Sequence, residues 1–156
     1  MKHLESSALI NANPQEVFNF VDDHQKFSSH MGQSSLVMGG GSMKTELDDK
    51  KGQIVGSHIK LNGKVFGIDL YLDEVVIKRV PPHLKEWETV GTPKLLIIGY
   101  YKMKIEIKPQ DLKSLVRVSI DYELPEKNAW LGKLFSTFYA KWCVSQMLNS
   151  TVNHFV

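Results

Sequence analysis

The stretch NAWLGKLFSTFYAKWCVSQMLNSTVNHF, residues 128–155, decides the fold. Leu131, Leu134, Phe135, Phe138, Trp142 and Cys143 recur three and four apart, with Tyr139 and Met147 beside them. Lys133, Thr137, Lys141 and Ser145 recur on the opposite side. That period is helical, and it predicts one long amphipathic helix. At ~1.5 Å per residue the helix runs roughly 42 Å, enough to cross a small domain. Its apolar stripe needs a cover. Almost everything between residues 43 and 124 reads as strand, so the cover is the inner face of a curved antiparallel sheet.

Upstream of the helix, alternation is clear. Val116, Val118, Ile120 and Tyr122 alternate with Arg117, Ser119, Asp121 and Glu123, and Pro125 stops the strand. Ile97, Gly99, Tyr101, Met103, Ile105 and Ile107 alternate with Tyr100, Lys102, Lys104, Glu106 and Lys108, giving one dry and one wet face. In residues 83–90, Lys85, Trp87 and Thr89 share one face and Glu86 and Glu88 the other, with Trp87 as the inward residue. The segment 65–80 sets Ile68, Leu70 and Leu72 against Asp69, Tyr71 and Asp73. It then changes phase before Val75 and Ile77, which predicts a bulge at Asp73-Glu74. Val55, Ser57, Ile59 and Leu61 form a further strand, and Asn62-Gly63 after it predicts a two-residue hairpin turn, both residues tolerating positive φ. Lys50-Lys51-Gly52 is a turn, preceded by a strand with Met43, Thr45 and Leu47 on one face.

The N-terminal part differs. Residues 4–11 make a first strand, and Asn13-Pro14-Gln15-Glu16 starts a short helix, with Asn13 as cap and Pro14 where a missing N–H costs nothing. Val17, Phe20 and Val21 share its apolar face. A second short helix is expected from His24 to His30, ended by Met31-Gly32. Gly39-Gly40-Gly41 lacks the spacing of a phosphate loop, because Met43 precedes Lys44-Thr45, and reads as a flexible connection or bulge into the next strand.

The chain of 156 residues is one domain by size, and 42% hydrophobic with 23% charged residues is the composition of a folded globule. A net charge of +2, with lysines interleaved among acids, gives nucleic-acid binding little support. Lys102, Lys104 and Lys108 read as the solvated face of a strand. Residues 1–20 hold no apolar signal core, so a bacterial-type cytoplasmic location is the expectation. The lone Cys143, set among aromatic residues, reads as a buried, inert thiol. The six histidines lack metal-site spacing, and no nucleophile frame is present, so neither a metal nor a cofactor is expected.

Three motifs and the final helix together resemble the START-like (SRPBCC) superfamily. They are Ile10-Asn11-Ala12-Asn13-Pro14-Gln15-Glu16-Val17-Phe18, then Val21-Asp22-Asp23, then residues 75–82 followed by Trp87-Glu88-Thr89. That superfamily includes polyketide cyclase/dehydrase-like proteins, plant pathogenesis-related allergens and lipid-transfer proteins. The resemblance covers essentially the whole chain and implies an α+β helix-grip (Bet v 1-like) domain over residues 1–156. Its seven-stranded antiparallel sheet would curve around the long C-terminal helix, with two short helices after the first strand. It also implies a cavity between sheet and helix, lined by Val55, Ile59, Leu70, Leu72, Trp87, Thr89, Tyr101, Met103, Val118 and Ile120 from strands and by Leu134, Phe138 and Trp142 from the helix.

The inward faces are poor in ionisable groups. Tyr101 is the best polar candidate, suited to donate a hydrogen bond to a ligand carbonyl, with Thr89 and Ser57 to assist. Asp69, Asp73, Glu86, Glu88, Arg117 and Asp121 fall on outward faces, unless the bulge turns Asp73 or Glu74 inward. Binding or transport of a hydrophobic small molecule (a lipid, quinone or polyketide-like compound) is the leading expectation. A cyclase- or dehydratase-like enzyme using the same cavity is the alternative, with catalysis left open. A third reading is an interaction or assembly protein, with Leu36, Val37, Met38 and the glycine triplet as an adaptable contact edge. Transient contact with a membrane or a protein is compatible with all three, and the oligomeric state is open.

Overall fold

A chain whose strands each keep one apolar face can bury those faces together only by laying the strands side by side around a common core. The computed structural model describes residues 1–27, 42–65, 67–95 and 97–156. Its elements, in order, are β1 (Lys2–Ile10), α1 (Pro14–Val21), α2 (His24–Phe27), β2 (Ser42–Leu47), β3 (His58–Val65), β4 (Ile68–Val80), β5 (Leu84–Lys94), β6 (Tyr101–Gln110), β7 (Lys113–Tyr122) and α3 (Ala129–His154). The strands form one curved seven-stranded sheet in the order β1-β7-β6-β5-β4-β3-β2, antiparallel throughout. Pairing of β1 with β7 brings the first strand beside the last, and α3 packs over these two strands and against α1 and α2.

Local chemistry explains several boundaries. The Asn13 side chain accepts the Glu16 N–H at 2.9 Å, and Pro14 occupies the first position of α1. Val17, Phe18, Phe20 and Val21 are buried by this helix. After it, Asp22 turns inward and accepts from Lys85 Nζ at 2.7 Å and from Arg79 at 2.8 and 3.2 Å. Lys85 is wholly buried. A lysine there requires its carboxylate, since an unpaired buried ammonium is costly. The triad therefore ties the end of α1 to the inner face of β4 and β5.

Four expectations change. Asn62 and Gly63 do not form the hairpin: they lie within β3, opposite Tyr71 and Leu70 of β4. The chain reverses one step later, between Val65 and Ile68, where Gly67 takes φ 74°. Strand β3 also begins later than expected. Asp48 accepts from the Ser57 hydroxyl at 2.6 Å and the His58 N–H at 2.8 Å, closing a turn that holds Lys51 and Gly52 at positive φ and leaves Val55 exposed. Residues 95 and 97–100 are not strand, so Ile98 is the buried residue of that connection and Ile97 is not. Finally, β4 shifts register against β5 between Tyr71 and Asp73 and again between Val76 and Lys78; Leu70, Leu72, Glu74 and Val76 all face the core, so the phase does not change at Asp73-Glu74 but after Val76, where Arg79, opposite the buried Lys85, reaches Asp22. Residues 28–30 of the expected second helix, Met31-Gly32, Leu36-Val37-Met38 and the Gly39-Gly40-Gly41 segment lie outside the described residues.

The long helix forms as predicted but presents a different face. Gly132, Ser136, Ala140, Cys143, Val144, Met147, Leu148 and Thr151 are buried, whereas Leu134, Phe135 and Phe138 are exposed. Distance is the reason. A Cβ on Gly132 would meet Pro125 Cδ at 2.5 Å and the Ile97 carbonyl oxygen at 3.0 Å. Only small side chains fit the start of the helix this close to the preceding loop, so the bulky ones turn away. Gly132→Val is expected to lower stability by about 2 kcal/mol or more through overpacking, measured by urea denaturation. Equal stability of the variant would show that the contact yields freely.

Candidate functional site

Inward residues of the middle strands converge beneath the second half of α3. Leu61 of β3, Leu72 and Glu74 of β4, Trp87 of β5, Tyr101 and Met103 of β6 and Ile120 of β7 line a cavity of about 50 Å³. Leu95 and Ile98 close it from the β5–β6 connection, and Tyr139, Cys143 and Met147 close it from the helix. The lining is mainly apolar, with two polar pairs. The Tyr101 hydroxyl donates to Glu74 Oε2, and Tyr139 and Cys143, one helical turn apart, share the second hydrogen bond. Thr89 sits opposite Glu74 in the ladder, and its Oγ1 accepts the Tyr101 N–H at 3.2 Å, fixing the backbone that aims the phenol.

Burial governs the protonation of these groups. It pushes the Glu74 carboxyl up to about 7, opposed by hydrogen bonds from Tyr101 and Trp87 and by the Lys85 charge, and assisted by Asp73. Burial pushes Tyr101 and Tyr139 well above the usual phenol range and the Cys143 thiol up to about 12, so all three are neutral. Such a thiol is inert. A neutral Glu74 accepts from Tyr101 through one oxygen and can donate its own proton from the other, so the pair matches a carbonyl or hydroxyl entering the cavity.

A second buried cluster borders the site on the inner face of β5, where Lys85, Trp87 and Thr89 follow one another. Burial pulls Lys85 down to about 8, with Asp22 opposing the shift. Burial would raise Asp22, but hydrogen bonds and charge from Arg79 and Lys85 outweigh it and hold the carboxyl below its ordinary value. His24 stands edge-on to Trp87 at 5.2 Å, is neutral because burial and Lys85 both disfavour its charged form, and leaves Nε2 without a hydrogen-bond partner among the described residues.

Beyond Leu95 and Ile98 an open cleft of about 520 Å³ continues outward. Its walls include Ile68 and Leu70 of β4, residues 91–94 of β5, and residues 124–128 before α3. Leu95 and Ile98 line both spaces.

Of the residues expected from sequence, Leu72, Trp87, Tyr101, Met103 and Ile120 line the cavity and Leu70 lines the cleft. Thr89 lies behind Tyr101. Ile59 belongs to a neighbouring apolar cluster against which Trp142 packs, and Val118 lies in the main core. Val55, Leu134 and Phe138 are exposed and line neither the cavity nor the cleft: the first sits in the turn before β3, the others on the outer side of α3. Sequence reading missed Leu61, Leu95, Ile98, Tyr139, Cys143 and Met147 as lining residues and offered Glu74 only as a residue that a bulge could turn inward. The signal for Glu74 was present, since it continues the Leu70-Leu72 alternation without interruption.

Residues 1–152 match the model of the family described as polyketide cyclase / dehydrase and lipid transport. No curated protein matches the chain. Similar solved structures include truncated norcoclaurine synthase from Thalictrum flavum, with TM-score 0.68 and 14% identity over 97% of this chain and 91% of that one. A protein from Thermus thermophilus gives TM-score 0.67 and 12% identity, covering 97% and 95% of the two chains. Ara h 8.0201 gives TM-score 0.64 and 11% identity, covering 97% and 98%. At these identities the likeness is one of fold.

The raised Glu74 value has a consequence for stability. The folded state holds this proton more tightly than the unfolded chain, so its contribution is complete below the ordinary carboxyl value of 4.5 and is lost as pH rises toward and past about 7. A shift of this size corresponds to on the order of 3 kcal/mol between the two limits. Denaturation at a series of pH values should show that decline as the difference between the unaltered protein and Glu74→Gln, because the depressed His24 shifts stability in the opposite direction equally in both.

Proposed function

We propose that this chain, which belongs to the polyketide cyclase / dehydrase and lipid transport family, binds one mainly apolar small molecule carrying a carbonyl or hydroxyl head group. The fold is a hydrophobic-ligand-binding fold. The observation that carries the finer reading is the Glu74–Tyr101 pair on the wall of an otherwise largely apolar enclosure. A head group with one donor or acceptor satisfies the free capacity of that pair, and a purely apolar ligand would leave it unmet.

Size supports a two-part placement. Ligand sites commonly enclose about 300–1,000 Å³, whereas the inner cavity is about 50 Å³ and the cleft about 520 Å³. The head group reaches Glu74 and Tyr101, the apolar body fills the cleft, and Leu95 and Ile98 move aside between them. Lipids, quinones and polyketide-like compounds all have this form.

A second reading, acid–base catalysis of the cyclase or dehydratase kind, is favoured by Glu74 alone. A carboxyl titrating near neutrality inside an apolar pocket suits proton transfer to or from a bound carbonyl compound. Glu74→Gln separates the two readings, because a carrier keeps its ligand and an enzyme keeps its substrate without turning it over.

Native mass spectrometry with solvent extraction, followed by titration with lipids and quinones, tests the binding reading. Saturable uptake at one molecule per chain is expected, weakened roughly fivefold to tenfold by Tyr101→Phe through loss of one hydrogen bond. Absence of both a co-purified compound and any saturable uptake would overturn it.

A further inference from the structure

The outer face of α3 carries large apolar side chains that nothing among the described residues covers. Trp130 is 61% exposed, Leu134 67%, Phe135 46% and Phe138 61%. Trp130, Leu134 and Phe138 are spaced four apart and stack along one ridge, with Phe135 on its flank. Lys133 and Lys141 are exposed beside them, and Lys127 lies just before the helix. The 26 residues of α3 contain no aspartate or glutamate, and Glu126 is the nearest acid in sequence.

We propose that this face docks on an anionic lipid bilayer, with the first half of α3 lying in the plane of the interface. A contiguous apolar patch of this kind marks an interaction surface, and scattered single residues do not. The charge pattern selects the partner. A bilayer with anionic lipids supplies an apolar layer for Trp130, Leu134, Phe135 and Phe138 and, at its edge, phosphates for the lysines. A second copy meeting this face symmetrically would bring Lys133 and Lys141 against their own counterparts, with no acid on the helix to receive them. Shape agrees, because the patch is a convex ridge on one helix, suited to a deformable surface.

The geometry also fixes the depth. From Trp130 to Phe138 the ridge extends about 12 Å, against about 30 Å for a hydrocarbon core, so it lies in the surface and does not cross. No helix among the described residues is long and apolar enough to span a membrane. Lys127 and Asn128, at the start of α3, line the open cleft, as does the exposed Ile68. Docking therefore sets the rim of the cleft at the lipid surface. The proposal does not depend on what the cavity binds.

The test is co-sedimentation and tryptophan fluorescence with vesicles of phosphatidylcholine, with and without phosphatidylglycerol. The protein is expected to bind the anionic vesicles with a blue shift that Trp130→Phe removes, and to bind less as salt is raised. Leu134→Ser combined with Phe138→Ser should cut binding at least tenfold while leaving the circular-dichroism melting curve unchanged, because both side chains already face outward. Lys133→Gln with Lys141→Gln should cut binding to anionic vesicles about thirtyfold, at ~1 kcal/mol for each lysine near the surface. The same serine pair should take up ligand like the unaltered protein, since neither side chain lines the cavity or the cleft, which separates this proposal from the ligand reading. No vesicle binding, or equal binding by the ridge variants, would overturn it. So would a stable dimer in sedimentation analysis that the serine variants disperse, which would assign the face to a second copy.

Discussion

The close approach of α3 to the loop before it constrains much of the molecule. Gly132 has no room for even a Cβ between Pro125 and the Ile97 carbonyl, so the rotation of the helix about its axis is set at its first turn. Ser136 and Ala140 follow on the same side, and Cys143, Val144, Met147 and Leu148 continue it over the core. From that rotation come the residues that the helix lends to the cavity, Tyr139, Cys143 and Met147. The same rotation leaves little empty space, because a helix seated on small residues sits low over the sheet. The narrow inner cavity and the larger outer cleft are two results of one packing distance.

Within the core, two buried charge systems lie on adjacent strands. Arg79 pairs with Lys85 across the β4–β5 ladder, Val76 with Trp87, and Glu74 with Thr89. Trp87 therefore stands between the Lys85–Asp22 pair and the Glu74–Tyr101 pair. Lys85 and Glu74 influence each other electrostatically, each favouring the other's charged form. Asp22 holds Lys85 directly, however, at 2.7 Å. The lysine is thus partnered before Glu74 can claim it, and burial keeps the Glu74 carboxyl near neutrality. A structural ion pair at the end of α1 and a responsive carboxyl at the cavity wall are parts of one arrangement.

Strands with strict alternation were legible from residue types alone: β6 and β7 keep their inward sets Met103-Ile105-Ile107 and Val116-Val118-Ile120-Tyr122. The Asn13-Pro14 entry to α1 was legible for the same reason, since capping is local chemistry. What failed depended on partners distant in sequence. Asn62-Gly63 has turn chemistry, but its ladder with Tyr71 and Leu70 is set by the whole β3–β4 register. The bulge expected at Asp73-Glu74 left the facing of Glu74 open, whereas β4 keeps its phase there and reverses it only after Val76. An acid in an apolar row breaks a local rule, and such breaks are where functional chemistry is expected.

The face of α3 was misread for a more general reason. Amphipathicity ranks sides of a helix by hydrophobic bulk, and packing ranks them by fit. In α3 the two disagree, since small residues meet the sheet and Trp130, Leu134 and Phe138 point away. A helix that is apolar on both sides belongs between two apolar media. The outward side of α3 is not apolar throughout: beyond Lys141 it continues through Ser145 and Asn149. Only the first half has the character of a helix with apolar matter on both sides, and that half begins at the rim of the cleft. Its sequence thus carries two instructions, one read by the sheet below and one, on the proposed docking, by a lipid surface, and hydrophobic periodicity alone cannot separate them.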